Sequence, residues 1–270
     1  MTSVVRLLVS ETLRLTLKWL PRAIPLGLLS AALGATSTYA DNMGYYFESP
    51  QPELYWGAFV TGCLVEVILV AALLRGMLRN EWRGLTGAQI GVDERNYFVS
   101  SIATMLIWFI SVVIVLLPVI MCCLAVFAVS GVDLELLSSQ DGWNEIALTP
   151  RYISMGIFVF GLIACIAVLA RLAPYAAGAI DQRKVVAMEA LKWTKGSTIA
   201  LTLAQIIILA IVFVFAGAVS WVIYEISFRL NLLQDGVLMN LPLLTLESLL
   251  FLPFSVAMAA FSVAVYRTSK

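Results

Sequence analysis

Glu66 closes the apolar run Thr61-Gly62-Cys63-Leu64-Val65-Glu66, about twelve residues from either end of the stretch 54–78, which only Glu66 and Arg75 interrupt. A carboxylate in the middle of a membrane helix costs several kcal/mol, which makes it a candidate for chemistry by default. It could take up and release a proton, hold a cation, or meet a polar substrate inside a bundle. It could equally be structural, protonated or paired with a Ser, Thr or Gln such as Gln205, locking two helices together. Glu247 is a second candidate, about six residues into the stretch 241–266 and so about 9 Å deep by helix rise, within reach of an interface. Arg171, near the end of the stretch 152–180, can snorkel to headgroups or cap a carboxylate. Gln205 and Asn240 are weaker polar candidates.

Much other chemistry is excluded by composition. The 270 residues contain no histidine, which removes imidazole bases, His-containing zinc sites and every Ser-His-Asp or Cys-His arrangement. No Ser-x-x-Lys pair, Gly-x-Ser-x-Gly elbow or acidic metal cluster occurs. The segment Gly84-Leu-Thr-Gly87-Ala-Gln-Ile-Gly91 matches a phosphate-cradling loop only in glycine content and reads as a turn. Cys63, Cys122, Cys123 and Cys165 have no C-x-x-C spacing and read as small core hydrophobes. No catalytic residue, metal or cofactor is therefore assigned. With 17 basic and 17 acidic residues the chain offers no net attraction to nucleic acid.

The elements that would position these groups follow from hydropathy. At 61% hydrophobic and 13% charged, the chain is far too apolar for water, where about a quarter of residues are charged. Six stretches approach the roughly 20 residues needed to cross a bilayer, at about 23–40, 54–78, 101–129, 152–180, 197–224 and 241–266. With the N-terminus inside, 15 of the 17 Lys and Arg residues fall on the inner side, and only Arg151 and Arg229 fall outside. That bias matches the excess of cations in cytoplasmic loops. The expectation is an all-α integral membrane protein of six transmembrane helices, a single polytopic domain with both termini cytoplasmic. Close packing is expected at Gly57 with Thr61, Gly156, Gly161, Gly217, Ser255 and Ala259, and kinks are expected at Pro118 and Pro253. Pro21 should interrupt the passage into the first span.

Amphipathic stretches lie between the spans. Residues 3–20 and 182–195 read as interfacial helices, and 85–99 as a weaker third. Each precedes an outgoing and a returning span, which suggests three repeated helix-plus-hairpin units, about 1–83, 84–181 and 182–270. Any six-span chain with basic inner loops would show some such periodicity. The cations Arg6, Arg14, Lys18, Arg183, Lys184, Lys192 and Lys195 are candidate contacts to lipid headgroups.

Two connectors carry a family likeness. The run Arg171-Leu172, Arg183-Lys184, Glu189 and Thr194-Lys195-Gly196 resembles the pattern of a broad set of uncharacterised six-span bacterial inner-membrane proteins, and Ile90-Gly91-Val92-Asp93-Glu94-Arg95 resembles their connector between spans two and three. That family is distantly similar to the membrane domain of glycerophosphodiester phosphodiesterases. Leu191 stands where the family has tryptophan, with Trp193 two residues on, and Ala190 replaces a serine. The resemblance implies a six-helix bundle and no established activity; no phosphodiesterase domain is present to carry that reaction over. Two functional readings follow. The first is a non-catalytic scaffold or accessory protein that interacts with membrane lipids, a partner complex or a second copy. The second is a small transporter or channel that uses Glu66.

Overall fold

The structure, a computed structural model, describes residues 2–47, 51–82, 84–132, 146–229 and 241–269. Among these, all regular structure is helical: α1 (Thr2–Phe47), α2 (Pro52–Arg79), α3 (Val92–Val129), α4 (Leu148–Leu172), α5 (Tyr175–Gln182), α6 (Ala187–Trp193), α7 (Thr198–Arg229), α8 (Leu241–Leu249) and α9 (Leu252–Ser269). Five helices are long and apolar enough to cross a membrane: α1, α2, α3, α4 continued by α5, and α7. This is the build of a multi-pass membrane protein.

Several expected boundaries move. Residues 3–20 are not a separate interfacial helix, because α1 runs on through Pro21 and Pro25. Each proline removes a backbone donor, but Leu15 and Trp19 before Pro21 and Ala23 and Leu26 after it are buried in one cluster, which holds the segment in line. Residues 182–195 are helical only over Ala187–Trp193, since Arg183 adopts the left-handed φ of 53° and ends α5. Residues 85–91 form a turn, and α3 starts at Val92 with Asp93 and Glu94 in its first turn, where carboxylates favour the positive end of the helix dipole. Pro118 lies within an unbroken α3. The last stretch, by contrast, is divided at Leu250 and Phe251. There the Phe251 N–H donates to the Ser248 carbonyl at 3.2 Å, and Pro253 takes the second position of α9, where a missing donor is tolerated.

Packing is strongly uneven along the helices. On α2 the buried residues lie between Val65 and Met77, Ala58 apart; on α3 they lie between Asp93 and Thr104, Phe127 apart. On α7 the described buried residues stop at Ile208, while α9 is buried along most of its length. One end of the molecule, where α2 and α9 finish and α3 and α7 start, is therefore closed. At the other end Phe109, Phe160, Phe213 and Trp221 are exposed, as lipid-facing side chains are. Among the glycines expected to pack, only Gly161 meets a neighbouring helix, at Val119; Gly57, Gly156 and Gly217 face open space. Ala259 is in the core, and Cys165 is the only buried cysteine.

The closed end is joined by polar contacts as well as apolar ones. The Arg75 guanidinium pairs with Glu94, both nearly fully buried, and donates to the Gly87 carbonyl at 3.1 Å. Gly87 has a φ of 67° and lies under Trp82, so a side chain there would be strained twice over. Arg79 donates to Asp93 at 3.1 Å and to the Ile180 carbonyl. Tyr266 donates to Asp181 at 2.8 Å, and Arg267 donates to the Met77 carbonyl at 2.7 Å and to Glu11 at 3.2 Å. The Trp19 ring covers Gly76 so closely that a methyl group there would overlap it.

Candidate functional site

Glu66 lies on α2 where the closed half gives way to the open one, and it is half-buried. Its Oε2 accepts a hydrogen bond of 3.3 Å from the Ser30 hydroxyl of α1. Gln205 is not its partner. That side chain is fully buried on α7, in the layer where Leu201, Ala204 and Ile208 meet Leu8 of α1 and Phe261 of α9, and neither end of its amide has a protein partner.

Two clefts meet at Glu66. The first, about 400 Å³, opens between α1, α2 and the α8–α9 break, with Ser30, Ser37, Phe59, Ser248 and Phe251 in its walls. The second, about 250 Å³, lies toward the closed end, between α2, α3, the α4–α5 junction and α9, with Tyr97, Tyr175 and Ser262 in its walls. Glu66, Phe254 and Ser255 line both. Phe254 also lines a third cavity of about 480 Å³ against α7. The floor of the second cleft is ordered: Tyr97 and Tyr175 stack with ring centroids 6.3 Å apart, the Tyr175 and Ser101 hydroxyls are 3.3 Å apart, and the Ser262 hydroxyl accepts the Ala177 N–H at 3.1 Å.

Local sequence explains this geometry. Small and hydroxyl residues recur on one face of α1, at Gly27, Ser30, Gly34 and Ser37, and on the last stretch at Ser248, Ser255 and Ser262, seven residues apart. These spacings place them on one side of a helix, and their small size leaves the room. Neither stripe was singled out from sequence, apart from Ser255 as a packing residue, although both are visible in it. The break between α8 and α9 sets Phe251, Phe254 and Ser255 around the same space.

The other sequence candidates go elsewhere. Arg171 meets no carboxylate among the described residues; its Nη2 donates to the Leu191 carbonyl at 2.7 Å, and Thr194 donates back to the Arg171 carbonyl at 3.0 Å, tying α4 to α6. The Glu247 side chain and Asn240 lie outside the described residues. Cys63, expected in the core, is exposed and lines the first cleft. Arg6, Arg14, Lys18, Arg183, Lys184, Lys192 and Lys195 are all exposed. Three of them meet carboxylates: Arg14 binds Glu11 at 2.7 Å, Lys184 binds Glu189 at 3.1 Å, and Arg183 lies 3.7 Å from Asp93.

Chemically, the arrangement offers one carboxylate, a set of hydroxyls and several aromatic faces around connected space. No group of three or more metal-ligating side chains occurs among the described residues. No family model matches the chain, and neither does any curated protein or solved structure.

Proposed function

We propose that this protein is a small, non-catalytic transporter of the bacterial inner membrane in which Glu66 is the group that binds and releases the transported charge. The observation that carries this reading is the position of Glu66 at the junction of two clefts, one toward each end of the bundle, beside a broken helix. A buried carboxylate that only locks helices would be enclosed by its partner; Glu66 has one hydrogen bond of 3.3 Å and open volume on both sides. Discontinuous helices at a polar site are a recurring device of transporters, and the α8–α9 break supplies the flexible point. The scaffold reading gains no support from the exposed apolar faces, since lipid covers such faces in any membrane protein.

In this reading α8 and α9 together make a sixth span, both termini are cytoplasmic, and the closed end faces the cytoplasm, where exposed Arg6, Lys18, Lys192 and Lys195 can meet anionic headgroups. A threefold repeat is supported by three arginines. Ninety-six residues separate Arg75 from Arg171 and again Arg171 from Arg267. Each lies near the end of a returning helix and bonds the element that opens another unit: Arg75 to Glu94, Arg171 to the Leu191 carbonyl, and Arg267 to Glu11. The contacts pass around the three units and close on the first. The likeness of the connectors to the six-span inner-membrane family stands beside this as part of the same proposal.

The test is a proton-flux assay. Protein reconstituted into vesicles that enclose a pH-sensitive dye should collapse an imposed pH gradient faster than empty vesicles, and Glu66→Gln should return the rate to that of empty vesicles. Equal rates for wild type and Glu66→Gln would remove the reading.

A further inference from the structure

The two clefts that meet at Glu66 also specify what they can hold, an inference that rests on the transporter reading and narrows it. Among the described residues, Glu66 is the only charged side chain in the walls of either cleft. An anion would meet this carboxylate with no cation to answer it. A bare metal ion would need several more oxygen ligands at close range, whereas the carboxylate has one hydroxyl, that of Ser30, within hydrogen-bond distance. A sugar or peptide needs a dense set of hydrogen-bond partners, and these walls are mainly apolar. A proton alone requires no cavity, yet the first cleft measures about 400 Å³, within the usual range for small-molecule sites.

What remains is an organic cation with an apolar body. Phe59, Phe251 and Phe254 present aromatic rings in the first cleft, and Tyr97 and Tyr175 present theirs in the second. Aromatic faces attract a diffuse positive charge, most strongly where water is scarce. The cleft is also reachable from the membrane: Phe59 and Phe251, which line it, are exposed, in a region that lipid would cover. An amphipathic solute dissolved in the bilayer can therefore reach Glu66 without crossing the closed end.

We propose that the Glu66 cleft binds monovalent amphipathic organic cations, with the Glu66 carboxylate as their counter-charge. The groups around the carboxylate allow this. From α2 itself the cleft receives Cys63, from α3 Tyr97, from α5 Tyr175, and from α1, α8 and α9 only hydroxyls and apolar atoms among the described residues. Among the described residues no lysine or arginine lines either cleft to neutralise Glu66 before the ligand does.

The experiment uses tetraphenylphosphonium as the probe, titrated by calorimetry into the full-length protein in lipid nanodiscs. Wild type should bind the probe. Glu66→Gln should lose affinity by about tenfold or more, while Glu66→Asp, which keeps the carboxylate, should retain binding. The neutral analogue triphenylphosphine oxide should bind the Gln variant as well as wild type, which reports that the variant is folded. No binding to wild type, or equal binding to wild type and Glu66→Gln, would overturn the proposal. Two outcomes separate it from the reading beneath it. Glu66-dependent proton flux without probe binding would overturn the ligand class and leave the pathway standing. Glu66-dependent probe binding without flux of proton or probe would remove the pathway and leave the cation site standing.

Discussion

The two ends of the bundle use polar residues in opposite ways. At the closed end Arg75, Arg79, Asp93 and Glu94 are drawn into contact with one another and with the backbone carbonyls of Gly87 and Ile180, and the ends of α2, α5 and α9 are tied together. Around Glu66, at the edge of the open half, one carboxylate has a single hydroxyl partner and space beside it. Buried charges in the first setting depend on their geometry and are costly to disturb. A charge in the second is free to change partner. The contrast teaches that burial of ionisable groups by itself does not mark a working site; what marks it is the volume left around the group.

The largest effect should come from breaking the closed end. Arg75→Met leaves the Glu94 carboxylate buried without its cation, and should cost about 3–5 kcal/mol of stability. The change would be read as a lower midpoint of thermal unfolding, followed by tryptophan fluorescence in mild detergent. The double variant Arg75→Met with Glu94→Leu should recover most of the loss, because an apolar pair of similar volume is often no worse than a buried ion pair. A single variant that melts like wild type would mean that the pair does not hold the closed end. Gly76→Val comes next. Its side chain would collide with the Trp19 ring, an overpacking cost of about 1–3 kcal/mol, and a silent substitution would show that α1 and α2 can separate there freely.

The all-helical build and the apolar stretches were legible in the sequence because long apolar runs report helices directly. The interruptions were not. Pro21 carries the local signal of a break, yet α1 continues through it, since packed neighbours on both sides outweigh one missing hydrogen bond. The break that matters falls at Leu250 and Phe251, where only Pro253 hints at it. Glu66 was found because a lone carboxylate in an apolar run needs a reason. Its surroundings were hidden, since Ser30, Tyr97 and Ser255 come from three other helices whose rotation the sequence does not state. Arg75 was read as one more inner-side cation. That it is buried against Glu94 depends on how the turn at 84–91 folds back, which is a tertiary fact.

Glu66→Gln sharpens the comparison from the other side. If the open half needs its carboxylate for work and not for structure, the substitution should change stability by less than about 1 kcal/mol, in contrast to Arg75→Met. A loss as large as that of the Arg75 variant would place Glu66 among the structural charges and erase the distinction between the two regions.

The smallest and most local effect concerns the field inside the first cleft. Cys63 lies three residues before Glu66 on α2 and lines the same space, whereas Cys165 is buried. With Cys122 and Cys123 replaced by alanine, Cys63 should react with small water-soluble methanethiosulfonates and Cys165 should not. Comparing a trimethylammonium reagent with a sulfonate reagent then reads the charge beside the thiol. The cationic reagent should gain over the anionic one in wild type relative to Glu66→Gln, because an ionised carboxylate one turn away attracts the first and repels the second. The two reagents differ in intrinsic rate, so the quantity that counts is the ratio of ratios, and that cancels the difference. A value of one would mean that Glu66 exerts no field in the cleft, and the open half would then differ from the closed one in packing alone.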